Sequence, residues 1–466
     1  MALVYFLALA ALSWFKEPFQ IDGDEGFNLI KALLLNGDFA LYRDIWSDQP
    51  PLFSYILLGV IKLFGPDTYL SRLVTLAMAT TLLWSAWIFL RLAADRIAAN
   101  IGVILLVLLP NYVKLSLSIL IGLPALALAI LALTALAVWH QRRQTGWIVA
   151  SGMLFGLSIC TKAFTLALAP AIGCVLIALE FRSPPSSSSF WRRLLPATLW
   201  SLALGLTVLA ILALTGGLFH LDQLVGSHAF ARKMIETQAS TFFEAIKGGP
   251  FALLLLALAP ISVYIAWRQG KPLLVYPAAC LVMACISLQA HRPVWFHLTL
   301  LATVPAALLA APVFGQIWQR LRRLPLLQTA PFGSFAALVV LMAAVALIAG
   351  NRILDRKGFS PDQSALLSEI AKYKHQANWL MTDRPIYAFR AGLPVPPLLA
   401  VSSWKRLASG QLSDASVQEM MERTSPELVL LVRWRWEALD GILDSRYRLV
   451  VSNETGRLYV RSDLVP

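Results

Sequence analysis

Residues 21–57 read IDGDEGFNLIKALLLNGDFALYRDIWSDQPPLFSYIL, a stretch that cannot sit in hydrocarbon although most of the first two-thirds of the chain can. It carries Asp22, Asp24, Glu25, Asp38, Asp44 and Asp48 between two apolar segments. In a chain with 26 acidic residues out of 466, that concentration is the main sequence clue to chemistry. After Asp24, the residues Phe27, Leu29, Ile30, Leu33 and Leu34 recur at helical spacing, with Asp24 as an N-cap and Asn36-Gly37 as a stop. The spacing predicts a short amphipathic helix lying on a membrane surface. Pro50-Pro51 then forces extended backbone just before the chain turns apolar again. Taken alone, these residues serve equally as a site of chemistry and as a helix cap within a merely wetted loop.

Outward from this stretch the chain is hydrophobic. With mean hydropathy +0.68, 58% hydrophobic and 14% charged residues, it reads as an all-α polytopic membrane domain followed by a small α/β domain. Eleven apolar segments approach the ~20 residues that cross a bilayer: 2–17, 68–91, 97–113, 119–139, 147–161, 163–180, 194–215, 250–267, 272–289, 294–313 and 331–350. The net charge of +13 comes from short basic clusters between apolar runs, which topology explains better than a nucleic-acid partner does. The four cysteines, Cys160, Cys174, Cys280 and Cys285, have no metal-site or disulfide spacing and read as packing residues.

Arg91 with Arg96, Arg142-Arg143, Arg182 with Arg192-Arg193, Arg268 with Lys271, and Arg320 with Arg322-Arg323 fall on one side of this arrangement. The positive-inside rule makes that side cytoplasmic, and the Ser-rich link 183–189 lies there too. The acidic loop (about 18–66), Lys162, the segment 220–249, His291-Arg292 and the tail 351–466 are then extracytoplasmic, in a multi-pass protein of the cell membrane. Within 221–249, His228, Arg232 and Lys233 are placed to meet lipid headgroups, or the segment is a plain connector. The tail is polar and mixed. It reads as a helix at 363–375, a strand at 379–382, a helix at 414–424, a buried strand at 428–432, and a closing pair at 448–451 and 458–460.

Several elements in order carry a resemblance: Asp24-Glu25 after the first span, Gln49-Pro50-Pro51-Leu52 before the second, Ser71-Arg72-Leu73, Gly156-Leu157 followed by Thr161-Lys162, and Arg292-Pro293. Together they resemble the lipid-linked sugar transferases of the protein mannosyltransferase and aminoarabinose transferase superfamily, integral-membrane enzymes of the GT-C fold, glycosyltransferase family 39 or 83 in type. The resemblance covers roughly residues 1–350. It implies that the acid pair of the first outer loop does the chemistry, with Asp24 as base or acceptor-orienting carboxylate, Glu25 beside it and Asp22 second. A carboxylate suits that role because an acceptor hydroxyl must be oriented, and where possible deprotonated, as the anomeric carbon is attacked.

The implied donor is a polyprenyl-phosphate sugar, whose leaving phosphate needs cations at the membrane surface. Arg292, His291 and Lys162 have the right charge and side, with Arg232 and His228 behind them. Two departures stand out. Gln49 occupies the position where relatives commonly have lysine, and the loop 110–124 lacks a second acid. His297, just beyond Arg292, fits equally well as a packed membrane histidine. No cofactor is implied with certainty, a divalent metal stays open, and the acceptor is an unassigned lipid, glycan or protein. The rival reading from another class is a flippase or transporter for a lipid-linked glycan, and a third is a catalytically silent membrane scaffold. Charges kept at helix ends favour interfacial chemistry over transport.

Overall fold

A computed structural model describes residues 1–182, 190–226, 241–247, 249–291, 293–321 and 333–465. Among these, eight helices are long and apolar enough to cross a membrane: Thr68–Ala93, Gly122–Arg142, Ala163–Arg182, Phe190–Leu214, Pro250–Arg268, Pro272–Ala290, Phe296–Leu321 and Ala337–Asp355. The chain is a multi-pass membrane protein. Eleven spans were expected, and the other three are helices too short to count by length. They are α1 (Ala2–Phe15), α5 (Arg96–Leu108) and α8 (Thr145–Thr161), with 14, 13 and 17 residues.

Two of these are cut short by local chemistry. After α5, Pro110 and a left-handed Asn111 (φ 68°) turn the chain into the short α6 (Tyr112–Leu117). After α8, an extended Lys162 leads into a 3₁₀ turn, Ala163–Leu168. Both breaks fall at the bundle end that carries the acidic loop. The Gly156 of the sequence motif has a packing reason. A Cβ there would sit 2.8 Å from Thr207 Cβ and 2.9 Å from Leu204 O, so only glycine lets α8 close on Phe190–Leu214.

The acidic loop forms two helices, α2 (Asp24–Asn36) and α3 (Leu52–Phe64), before α4 (Thr68–Ala93). The stop at Asn36-Gly37 falls where it was read. The start differs: Asp24 is the first helical residue rather than the N-cap, and the Asp22 side chain accepts from Asp24 N at 3.2 Å. Nor does α2 lie open on a surface. Ten of its 13 residues are buried, because α3, the segment after α6 and the tail together cover it.

The tail folds as a four-stranded sheet, β1 (Leu380–Thr382), β2 (Leu428–Leu431), β3 (Tyr447–Ser452) and β4 (Arg457–Arg461), in the order β1-β2-β4-β3. β1 and β2 are parallel and the other pairs antiparallel, with a bulge between Leu449 and Val451. The helices Pro361–Tyr373 and Asp414–Thr424 open on Ser360 and Ser413 capping boxes. The tail does not stand apart from the acidic loop: one apolar core contains Phe27, Ile30 and Leu34 of α2 together with Ile386, Phe389, Leu428 and Leu458.

Contact with α2 is made by the short helix Ile386–Ala391. A Cβ on Gly26 would meet Ile386 N at 2.8 Å, and a backbone atom cannot yield as a side-chain tip can. Gly26→Ala is therefore expected to loosen the tail from the loop, seen as faster proteolytic removal of residues 351–466 from membranes. Unchanged protection would show that the contact tolerates a methyl group.

Candidate active site

Along α2, consecutive residues point about 100° apart, so Asp24 and Glu25 cannot face the same place. Glu25 turns inward and is fully buried. Its two oxygens take Arg72 Nε at 3.2 Å and Nη2 at 3.0 Å, and also the backbone N–H groups of Ile21 (2.8 Å) and Ile119 (3.0 Å). Arg72 Nη1 adds a bond to Pro18 O at 3.0 Å. The Ser71-Arg72-Leu73 motif thus ties α4, the first loop and the segment after α6 into one knot. No oxygen of Glu25 is left to meet a substrate, contrary to the expectation that it acts beside Asp24.

Asp24 points the other way. Its side chain is exposed, yet dense protein around it makes the setting a concavity rather than a convex surface. Burial of that kind, with Asp22 and Asp48 nearby, raises its carboxyl to about 6, while Lys162 and Lys31 pull in the opposite direction. A carboxylate near 6 is poised to exchange protons close to neutral pH.

Ammonium groups converge on these acids. Lys162 ends α8 half-buried, its Nζ 3.7 Å from where a Cβ on Gly122 would stand, beside the start of α7 (Gly122–Arg142). At the C-terminal end of α8 the helix dipole favours a cation, while the start of α7 opposes one, so the site between the two helix ends suits a lysine that has an anion beside it. Desolvation lowers Lys162 to about 8 against the pull of Asp24 and Asp48. From α6, Lys114 pairs with Asp22 at 3.6 Å and lies over the Phe296 ring at 4.0 Å. His297, Lys162, Lys114 and His291 are electrostatic neighbours. His291 itself is exposed. Arg292, Arg232 and His228, expected as phosphate ligands, lie outside the described residues, as does the Ser-rich link.

The tail reaches the same place. Lys405 Nζ pairs with Asp48 Oδ2 at 2.8 Å, and the neighbouring Arg406 guanidinium lies 4.8 Å from the Trp46 ring centre. Arg384 Nε donates to Gln20 at 3.1 Å, and Arg390 donates to Pro18 O and Phe19 O while pairing with Glu17 at 2.8 Å.

This arrangement can be set beside known proteins. Residues 48–215 match the family model described as dolichyl-phosphate-mannose-protein mannosyltransferase. The apo crystal structure of ArnT from Cupriavidus metallidurans aligns with a TM-score of 0.65 at 14% identity, over 98% of this chain and 95% of its own. The same protein bound to undecaprenyl phosphate gives 0.64 at 15%, over 100% and 99%. The chain has the GT-C fold. A third GT-C structure, the Archaeoglobus fulgidus oligosaccharyltransferase tethered with an acceptor peptide, aligns at 0.56 and 12% identity, over 99% of this chain and 74% of its own. Among curated proteins, no sequence match was found.

Within this GT-C scaffold, no group of three or more His, Cys, Asp or Glu side chains among the described residues is arranged to hold a metal. The acids of the site face ammonium groups, and Asp48 carries Lys405. Lys31, Lys114 and Lys405 were not singled out from the sequence, and Asp48 was named only as one of the six acids of the loop. For Lys31 a signal existed, since seven residues bring a helix back to within about 20° of the same direction, the direction of Asp24. Lys114 and Lys405 come from distant segments, and nothing local marks them.

Proposed function

We propose that this GT-C protein transfers a sugar from a polyprenyl-phosphate donor to an acceptor on the extracytoplasmic side of the membrane, by a single inverting displacement. The observation that carries the reading is the meeting of an open, raised carboxylate, Asp24, with the ammonium group of Lys162, while Lys114 pairs with the neighbouring Asp22, at one end of an apolar bundle. Asp24 accepts the acceptor's proton as its oxygen bonds to the anomeric carbon. The bond from that carbon to the phosphate oxygen breaks, and the leaving polyprenyl phosphate keeps the electron pair. Lys162, Lys114 and His291, with Arg292 beside it in the sequence, stabilise the charge that develops there. Asp22 stays with Lys114 and the start of α2, and orients rather than reacts. The sequence match to a mannosyltransferase family and the fold shared with a protein crystallised with undecaprenyl phosphate support the donor class.

Purified protein given a radiolabelled polyprenyl-phosphate sugar should release free polyprenyl phosphate, faster with a matching acceptor. Donor left intact with every acceptor class would defeat the reading. The sidedness is tested separately. A periplasm-active reporter fused after Pro466 should be active, because the basic clusters assign the opposite ends of the helices to the cytoplasm. Activity of a cytoplasm-only reporter at that position would reverse the orientation.

A further inference from the structure

Six charged side chains are buried among the described residues: Glu25, Lys31, Arg72, Asp383, Arg406 and Glu427. Five are held directly. Glu25 and Arg72 hold each other. Asp383 takes the N–H groups of Val432, Arg433 and Trp434, Arg406 donates to Leu398 O and Val401 O, and Glu427 takes those of Asn378 and Trp379. Lys31, 3% exposed, has no hydrogen bond or ion pair among the described residues. An ammonium this largely removed from water without a protein partner is costly, its Nζ keeping only a small contact with solvent, and a methionine would fill the same space without that cost.

Its surroundings say what it is kept for. Lys31 lies two helical turns beyond Asp24 on the same face of α2, roughly 10 Å along the axis. Asp48 and Asp24 are the acids that act on it, and the same two act on Lys162. Asp48 is already in direct contact with Lys405, so it does not neutralise Lys31 by contact. Lys31 and Lys162, from different helices, thus act on one pair of acids, and neither ammonium has a hydrogen bond or ion pair among the described residues.

Building on the transferase reading above, we propose that Lys31 is a binding residue for a phosphate ester, contacting the donor's phosphate from the α2 side while Lys162 contacts it from the end of α8. The ligand chemistry is a phosphate brought in on a lipid, a diester monoanion in the donor and a monoester dianion in the polyprenyl phosphate product. Lys405 makes this arrangement work by occupying Asp48, which would otherwise compete for the Lys31 ammonium.

The test uses the full chain in detergent with three probes: a short-chain polyprenyl phosphate, the corresponding polyprenol, and inorganic phosphate. Lys31→Met should weaken polyprenyl phosphate binding about 10- to 100-fold, the loss expected for one charge-assisted contact. It should leave polyprenol binding alone and keep or raise the melting temperature, and Lys31→Arg should restore most of the affinity. Unchanged phosphate-lipid binding by Lys31→Met overturns the inference. So does failure of Lys31→Met to accumulate as folded protein, because a lysine without an internal partner is dispensable for folding. Inorganic phosphate bound as tightly as the lipid, with the same dependence on Lys31, would assign the group to a soluble ligand and also overturn it. Wild-type protein that binds none of the probes would defeat the transferase reading itself, a result distinct from the others.

Discussion

Asp24→Asn is expected to insert and fold normally while sugar transfer falls at least about a hundredfold, the lower end of what a general base contributes. Asparagine keeps the size and hydrogen bonding of the side chain but cannot take a proton. The same carboxylate sets a pH dependence. With Asp24 at about 6, the base form is lost as pH falls through that value, so kcat/KM should rise with pH around 6. Lys162, at about 8, is charged below that value and neutral above it, so kcat/KM should fall again around 8. The result is a bell whose low-pH limb disappears in Asp24→Asn and whose high-pH limb disappears in Lys162→Met. Measured on purified protein, a flat profile from 5 to 9 in wild type would place the proton transfer elsewhere.

The second large effect concerns folding. Glu25→Ala leaves the Arg72 guanidinium buried without its carboxylate, and Arg72→Ala leaves Glu25 in the same state. Breaking a buried pair in this way costs about 3–5 kcal/mol. Either variant should lose most of its folded, membrane-inserted population, read by fluorescence-detected size exclusion or thermal denaturation in detergent. The double change Glu25→Gln with Arg72→Met should be more stable than either single alanine, since it removes both charges together. Should Glu25→Ala fold like wild type yet lose transfer, Glu25 would belong to the chemistry rather than to the scaffold.

The contrast between these two neighbours shows how far the sequence could be read. Six acids in one polar stretch between apolar runs pointed to the candidate site region, and Asn36-Gly37 marked the end of α2 because that stop is written locally. The strands of the tail were visible for the same reason: Leu428–Leu431 is a short, wholly apolar run, and all four residues are buried in β2. That Asp24 and Glu25 point to different sides follows from helical periodicity alone, but adjacency in the sequence suggested a pair. Two of the three helices that fall short of spanning length, α5 and α8, were hidden because Pro110 and Lys162 break the chain at points where the composition stays apolar. What local pattern could not supply was the tail's part in the site. The Lys405–Asp48 pair joins residues 357 positions apart, and the Gly26–Ile386 contact depends on how two units close over one another.

The most direct measurement is made in proteoliposomes loaded with a labelled polyprenyl-phosphate sugar, with candidate acceptors supplied on the face that carries residues 351–466. The account predicts a covalent product with labelled sugar on the acceptor, of inverted anomeric configuration, and stoichiometric release of polyprenyl phosphate on that face. Labelled lipid appearing intact on the opposite leaflet, with no acceptor modified and no phosphate released, would contradict it and identify the protein as a carrier of the lipid rather than a transferase.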